Sequence, residues 1–316
     1  MPYQSLTLPD FASRFATPAA CLEAIIQRRW PAGWKCSHCG GGRHHRLRTR
    51  RALQCANRSC RRQSSITAGT VFEQAKLPLP KVFLAVYVMT DKQGISAMAL
   101  RKHLGCHYDT AYRLLMLLRG TMAHRDQSYV LEGVVQVDEA YVGGHGDGRH
   151  RRGRARDTKR VIGVAVEQVS SDVSGFIHLD VLPAADAESL HGMVLEKIRP
   201  GTRLLTDEWP SYRGLAAKGY DHQPRTSPGG HAASLQWPLV HRAISNCNRW
   251  LLGTHRNFCL RYLPDYVAEF CWRANRRNRS KQDHDRNTRE ATLPDRLLTI
   301  ACCQRRRPRS PAWKAA

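Results

Sequence analysis

Residues 134–144, VVQVDEAYVGG, constrain the fold more tightly than any other stretch of this chain. Val134, Val135, Val137, Tyr141 and Val142 are β-branched or aromatic, and Gly143-Gly144 closes the run as a turn. The reading is a buried strand, and two acids interrupt it. A carboxylate inside an apolar strand is costly unless it is paired or binds a metal. Successive strand residues face opposite ways, so Asp138 and Glu139 cannot both serve one site. A strand-end acid with a basic partner and a metal ligand both satisfy the pattern.

A second pattern is more local. Cys36-Ser37-His38-Cys39 is followed after fifteen residues by Cys55-Ala56-Asn57-Arg58-Ser59-Cys60. Two cysteine pairs at this separation suit a tetrahedral Zn²⁺ on two knuckles joined by a hairpin. The other seven cysteines are scattered, which fits reduced thiols better than a disulfide framework. Basic residues crowd the hairpin, with Arg43, Arg46 and Arg48 along it and Arg58, Arg61 and Arg62 by the second pair. Across 316 residues, 50 Lys and Arg against 26 Asp and Glu give a net charge of +24. Such an excess attracts polyanions, of which nucleic acid comes first and an anionic membrane second. No apolar run approaches the ~20 residues of a membrane span. The opening residues, MPYQSLTLPDFASRF, lack the pattern of a secretory signal.

The length predicts two domains or a core with appendages. Residues 1–70 read as a short helix capped by Thr17 and then the ribbon. Residues 71–128 read as helical: Ser96 caps SAMALRKHL, Gly105 turns, and a second helix begins near Asp109. Helix, glycine turn, helix resembles a helix-turn-helix with Tyr108, Thr110 and Arg113 placed to read bases, and simple packing explains it as well. Residues 129–280 alternate strand and helix. Three strands form an antiparallel meander, a helix follows over 185–198, and a fourth strand, 202–206, ends at Asp207. Asp138 and Asp207 then lie on neighbouring strands. Residues 145–160 form a Gly/Arg loop carrying Arg151, Arg152 and Arg154, expected to hold a DNA backbone. Residues 214–242 read as irregular. A helix from Ala243 is expected to stop at Gly253, and a last helix spans 264–277. On it Asp265, Glu269 and Arg273 repeat at i, i+4, most simply an ion ladder. Residues 281–316 read as a basic tail.

These residues resemble bacterial insertion-sequence transposases with an N-terminal zinc ribbon and a DDE-type catalytic domain, the ISXO-like group. RRWPAGWKCSHCG, SITAGTVF, VDEAYVGG, TDEWPSY, VHRAISNCNRWLLGTH and YLPDYVAEFCWRANRR carry the resemblance, which covers nearly the whole chain. It implies an α/β fold: a ribonuclease-H-like mixed sheet with flanking helices. It also implies that Asp138 and Asp207 are the first two catalytic acids and hold Mg²⁺. The third position, often Glu in the family, falls on His241, with Asn246 the near alternative. The basic residue that commonly follows two turns later is replaced by Asn248, next to Arg249. A neutral third residue leaves the site one negative charge short of three acids.

The implied reaction is hydrolysis of a phosphodiester at each transposon end, then attack of the freed 3′-hydroxyl on target DNA. The expected cofactors are structural Zn²⁺ and catalytic Mg²⁺. The expected partners are the terminal inverted repeats, target DNA and further copies of the chain, in the cytoplasm at the nucleoid and not at a membrane. Two other readings keep the same residues: a zinc-ribbon DNA-binding protein without catalysis, either a regulator or a decayed transposase, and a nuclease acting on RNA–DNA hybrids.

Overall fold

The computed structural model describes residues 7–47, 50–91, 93–143, 159–226, 237–255, 258–277, 297–299 and 301–302. The chain divides into two compact units, residues 1–122 with 290–316, and residues 123–289.

The first unit opens with two helices, α1 (Leu8–Arg14) and α2 (Pro18–Arg29). Thr7 and Thr17 cap them through their hydroxyls, each with proline in the first turn. A three-stranded antiparallel sheet follows: β1 (His44–Arg46), β2 (Ala52–Cys55) and β3 (Gln63–Ser65). The ribbon therefore has a third strand beyond the expected hairpin. β3 reads QSS, which carries no apolar alternation to announce it. Next come α3 (Leu79–Met89), α4 (Ala97–Leu104) and α5 (Tyr108–Asp126), the last of which runs into the second unit. Ser96 caps α4, and Gly105 ends it at φ 58°, a left-handed conformation glycine adopts without penalty. The core of this unit is aromatic: Phe11 packs on Phe15 and Tyr87, and Phe83 on Phe15 and Phe72. Leu297, Leu298, Ala301 and Cys302, from the segment read as a tail, are buried. Residues 303–316 lie outside the described residues.

The second unit is built on a five-stranded sheet. β4 (Val134–Gly143), β5 (Lys159–Gln168) and β6 (Ser174–Leu182) form the antiparallel meander, and β7 (Arg203–Thr206) pairs in parallel with β4. The strand order is β6-β5-β4-β7-β8, with β8 (Asp221–Pro224) parallel to β7. That order and those directions are the ribonuclease-H-like arrangement. β8 corrects the reading of 214–242 as irregular. It is a four-residue edge strand of sequence DHQP, held by backbone pairing and an Arg203–Asp221 ion pair of 2.8 Å.

Each face of the sheet has its own cover. Helix α6 (Ala187–Lys197), capped by Asp186, packs on the face bearing Val135, Val137 and Ala165. Helices α7 (Pro238–His255) and α8 (Leu263–Arg277) cover the face bearing Val164, Val166 and Ile177. α7 runs through Gly253, contrary to expectation. A helical glycine costs about 1 kcal/mol, less than burying the stripe Leu239, Val240, Ala243, Cys247 and Leu251 returns. The acid–base repeat of α8 forms its expected i, i+4 ion pair between Glu269 and Arg273, away from solvent. Glu269 and Arg273 are both buried, and Arg273 donates from Nε and Nη2 to Glu269 Oε1 at 2.9 and 2.6 Å.

Candidate active site and metal-binding cysteines

The ribbon strands bring the four predicted cysteines to one point. Cys36 and Cys39 lie on the first knuckle, Cys55 ends β2, and Cys60 follows on the second knuckle. Their sulfurs all lie within 4.8 Å of one another, with Cys36–Cys60 at 3.7 Å and Cys39–Cys55 at 3.5 Å. A Zn–S bond of about 2.3 Å in a tetrahedron requires sulfurs about 3.8 Å apart, so the cluster fits Zn²⁺. The backbone N–H groups of Cys39 and His38 lower the Cys36 thiol to about 7, while the Cys55 and Cys60 thiols, desolvated and crowded by the other sulfurs, are raised; a cation among the four would favour the thiolate in all of them. His38 Nδ1 lies 3.6 Å from Cys60 Sγ, beside the four sulfurs.

The acids occupy the other unit. Asp138 sits in mid-β4 with its side chain 20% exposed, on the face covered by α7. β4 and β7 pair Gln136 with Leu205, and the same parallel register continued two residues sets Asp207 beside Asp138. His241, in the first turn of α7, brings Nδ1 to 3.7 Å from Asp138 Oδ2. Burial pushes the Asp138 carboxyl up to about 7, with the charges of Glu139 and Asp207 adding to it; the Glu139 N–H, at 2.8 Å from Oδ1, works against them. Negative charge is thus crowded where little water reaches it, and a cation there would relieve the crowding. Two carboxylates with a histidine offer a donor set that fits a divalent ion.

Alternation along β4 sends Glu139 to the α6 face, where its Oε2 accepts a 2.7 Å hydrogen bond from the buried Tyr212 hydroxyl. Glu208 is exposed in the turn after Asp207. Asn246, the alternative third residue, lies on the same helix with a different direction. Five residues beyond His241, it lies about 140° further round α7 at 3.6 residues per turn. It lines a cavity of about 300 Å³ with Arg242, Trp250 and Phe270. Asn248 returns to the His241 stripe, and Arg249 bonds Asn246 Oδ1 at 2.9 Å.

Two residues of this site were not foreseen. Gln136, 2% exposed, lies two residues before Asp138 on the same face. Its Oε1 accepts from the Leu239 and Val240 N–H groups, each at 3.2 Å, and its Nε2 donates to Gln168 Oε1 at 2.9 Å. It thereby fixes the start of α7, and with it His241. A lone amide in an apolar strand on the Asp138 face was the available signal, because a buried amide must find partners. Tyr212 lies in TDEWPSY, where nothing local marked it.

The predicted DNA contacts divide by position. Arg43 and Arg46 are exposed on the ribbon, and Arg113 is exposed on α5 near the stacked pair Tyr108–Tyr112, whose rings are 5.9 Å apart. Arg48, Arg151, Arg152 and Arg154 lie outside the described residues. No helix among the described residues is long and apolar enough to cross a membrane.

Comparison with known proteins follows this division. The ISXO2-like transposase domain matches residues 130–275, and the transposase zinc-ribbon domain matches residues 16–63. An uncharacterized protein in transposable element ISH50 of Halobacterium salinarum is 28% identical over 214 residues, covering 64% of this chain and 71% of its own. Among solved structures, a simian T-cell lymphotropic virus intasome in complex with a PP2A regulatory subunit aligns at 13% identity and TM-score 0.34, over 72% of this chain and 76% of that one. The Mos1 strand transfer complex aligns at 11% and 0.27, over 70% and 76%. TM-scores of this size establish nothing by themselves. The two domain matches, ribbon first and catalytic domain second, assign residues 16–63 to the transposase zinc-ribbon family and residues 130–275 to the ISXO2-like transposase domain family.

Proposed function

We propose that this chain catalyses DNA transposition: hydrolysis of a phosphodiester at each end of its element, then attack of the freed 3′-hydroxyl on target DNA. The observation that carries the reading is the convergence of Asp138, Asp207 and His241 from β4, the end of β7 and α7. Mg²⁺ held there would activate the attacking oxygen and stabilise the leaving one. Asp138 and Asp207 bind and orient through their carboxylates. His241 orients Asp138 and can position water. The burial of Asp138 keeps bulk water from screening its charge.

The ribbon and the α4–α5 pair recognise the element's ends, with Arg43, Arg46 and Arg113 on phosphate or base edges. Residues 151, 152 and 154 add arginines for the DNA backbone. Pairing two ends calls for at least two copies of the chain, working in the cytoplasm at the nucleoid. The test is strand cleavage in Mg²⁺ on a panel of substrates. End-containing duplex should be cut and random duplex spared. Equal cutting of an RNA–DNA hybrid would instead indicate a general ribonuclease-H-like nuclease, and binding without cutting would indicate a regulator.

A further inference from the structure

The β4–β7 register carried two residues past its last pair leads Asp207 to Asp138, which feels its charge, yet Asp207 is the first residue past the end of β7. Ladder pairing with β4 holds only residues 203–205, so the backbone hydrogen bonds stop short of the acid. β8 pairs with β7 as far as Thr206, and Ser211 Oγ donates to the Ala185 carbonyl at 3.2 Å, so the segment is held from that side; what ties it to β4 lies further on. The Asp207 carboxylate accepts the Trp209 N–H at 3.0 Å, a local turn that sets its own shape but does not tie it to β4. Three residues on, the 3₁₀ turn Pro210–Tyr212 sends Tyr212 back under the sheet. There its ring is 1% exposed, and its hydroxyl donates to Glu139 at 2.7 Å. Glu139 is the residue next to Asp138.

We propose that the Glu139–Tyr212 hydrogen bond is a clasp that holds Asp207 in register with Asp138, making both residues positioning residues for the metal-binding carboxylates. Asp138 and Glu139 occupy opposite faces of β4, so one strand segment presents an acid to the site and anchors the other acid's loop from beneath. Burial and the neighbouring Glu139 charge hold the Tyr212 hydroxyl well above its usual pKa, so it remains a donor throughout the working range. The adjacent DE dipeptides of VDEAYVGG and TDEWPSY thus have different duties: Glu139 is anchored and buried between elements, whereas Glu208 is exposed.

The clasp deepens the transposase reading and rests on it for its purpose, so the experiment separates the two. Zinc-loaded full-length protein is titrated with Mn²⁺ in the absence of DNA, with free Mn²⁺ followed by electron paramagnetic resonance. Strand cleavage is then measured against Mn²⁺ concentration. Tyr212→Phe removes one hydroxyl and keeps the ring that fills the core. Glu139→Met removes the acceptor, and Glu139→Gln keeps one. Tyr212→Phe and Glu139→Met should each weaken Mn²⁺ binding about tenfold, the scale of outer-shell losses at metal sites. In the cleavage assay they should raise the half-saturating Mn²⁺ concentration more than they lower the rate at saturation. Glu139→Gln should stay within about threefold of wild type, and the double variant Glu139→Met/Tyr212→Phe should be no worse than either single change.

Unchanged Mn²⁺ binding in a folded Tyr212→Phe protein would overturn the clasp. Glu139→Gln as damaging as Glu139→Met would overturn it too, because Glu139 would then act through its charge. A wild-type protein that binds Mn²⁺ through Asp138 and Asp207, loses that binding with the clasp, and cuts no DNA would leave the clasp standing and remove the transposase reading.

Discussion

The cysteine cluster and the acid site differ in how far the chain travels to build them. Cys36 and Cys60 are 24 positions apart, on a ribbon of three strands none longer than four residues. Asp138 and His241 are 103 positions apart, on a sheet with a packed core on each face. The ribbon has little apolar burial with which to hold four sulfurs together, so the metal must supply much of its folding energy. The acid site is the reverse case. Two hydrophobic layers set the register of β4, β7 and α7, and the carboxylates are carried into proximity at an electrostatic cost. The cysteine cluster depends on a ligand for its fold, and the acid cluster is set by the fold alone.

The largest expected effect breaks that comparison if it fails. Removing zinc, by chelation or by Cys36→Ser, should unfold the ribbon, since such sites contribute apparent binding energies of roughly 10 kcal/mol or more. The sheet of the second unit should persist. Amide hydrogen exchange read separately over 36–65 and 134–206 checks this, and equal loss of protection in both regions would end the contrast. Next in size is Asp138→Asn. Cleavage should fall by at least about a thousandfold, a loss of roughly 4 kcal/mol in the transition state, while binding of end DNA survives. Parallel cleavage and gel-shift measurements decide it, and wild-type cleavage by the variant would take Asp138 out of the active site.

The same contrast explains what could be read from the sequence. The cysteine spacing identified the ribbon because its geometry is local. The β4 pattern identified Asp138 because a charge inside an apolar run needs a reason, and alternation correctly parted it from Glu139. The meander and a fourth strand neighbouring its first followed from strand–helix order; that the fourth runs parallel came from the structure. β3 and β8 escaped because QSS and DHQP are short edge strands whose stability lies in backbone pairing, which leaves no side-chain pattern. Gly253 misled because a propensity of about 1 kcal/mol yields to tertiary burial. The bonds of Gln136 and Tyr212 and the approach of His241 to Asp138 depend on which way a helix or turn faces a strand about seventy to a hundred residues away. No local pattern encodes that.

Electrostatic cost makes a third prediction, on stability. Asp138 rises from an ordinary 3.8 to about 7, so the folded chain holds its proton more tightly than the unfolded chain. The associated stability is fully present below about pH 4 and is lost as pH rises through 7. In zinc-loaded protein free of Mg²⁺ and Mn²⁺, Asp138→Asn should therefore match wild type near pH 4 and exceed it above pH 7. The gap is at most about 4 kcal/mol, at ~1.4 kcal/mol per tenfold change in proton affinity. Urea midpoints across that range measure it. A gap that does not widen with pH would mean the acid is not held at a cost, and the contrast with the ribbon would lose its electrostatic half.

The smallest effect sharpens the comparison most, because it asks whether the acid site is held by the scaffold at all. Gln136 contributes neither charge nor ligand. Its Oε1 receives the Leu239 and Val240 N–H groups, which have no acceptor within the first turn of α7, and its 2% exposure shows that water does not share that duty. Gln136→Leu conserves volume and apolar packing but leaves those donors unmatched. The expected loss is about 1–3 kcal/mol of stability in the second unit, with none in the ribbon. It should also let the start of α7 shift, so that His241 no longer rests 3.7 Å from Asp138. Mn²⁺ affinity should then fall by about as much as in His241→Ala, and Gln136→Leu combined with His241→Ala should bind Mn²⁺ no more weakly than His241→Ala alone, because both act through the same imidazole. If Gln136→Leu lowers stability yet leaves Mn²⁺ affinity intact, His241 is placed by the rest of α7. The pre-formed character of the site then belongs to the whole hydrophobic layer and not to one amide.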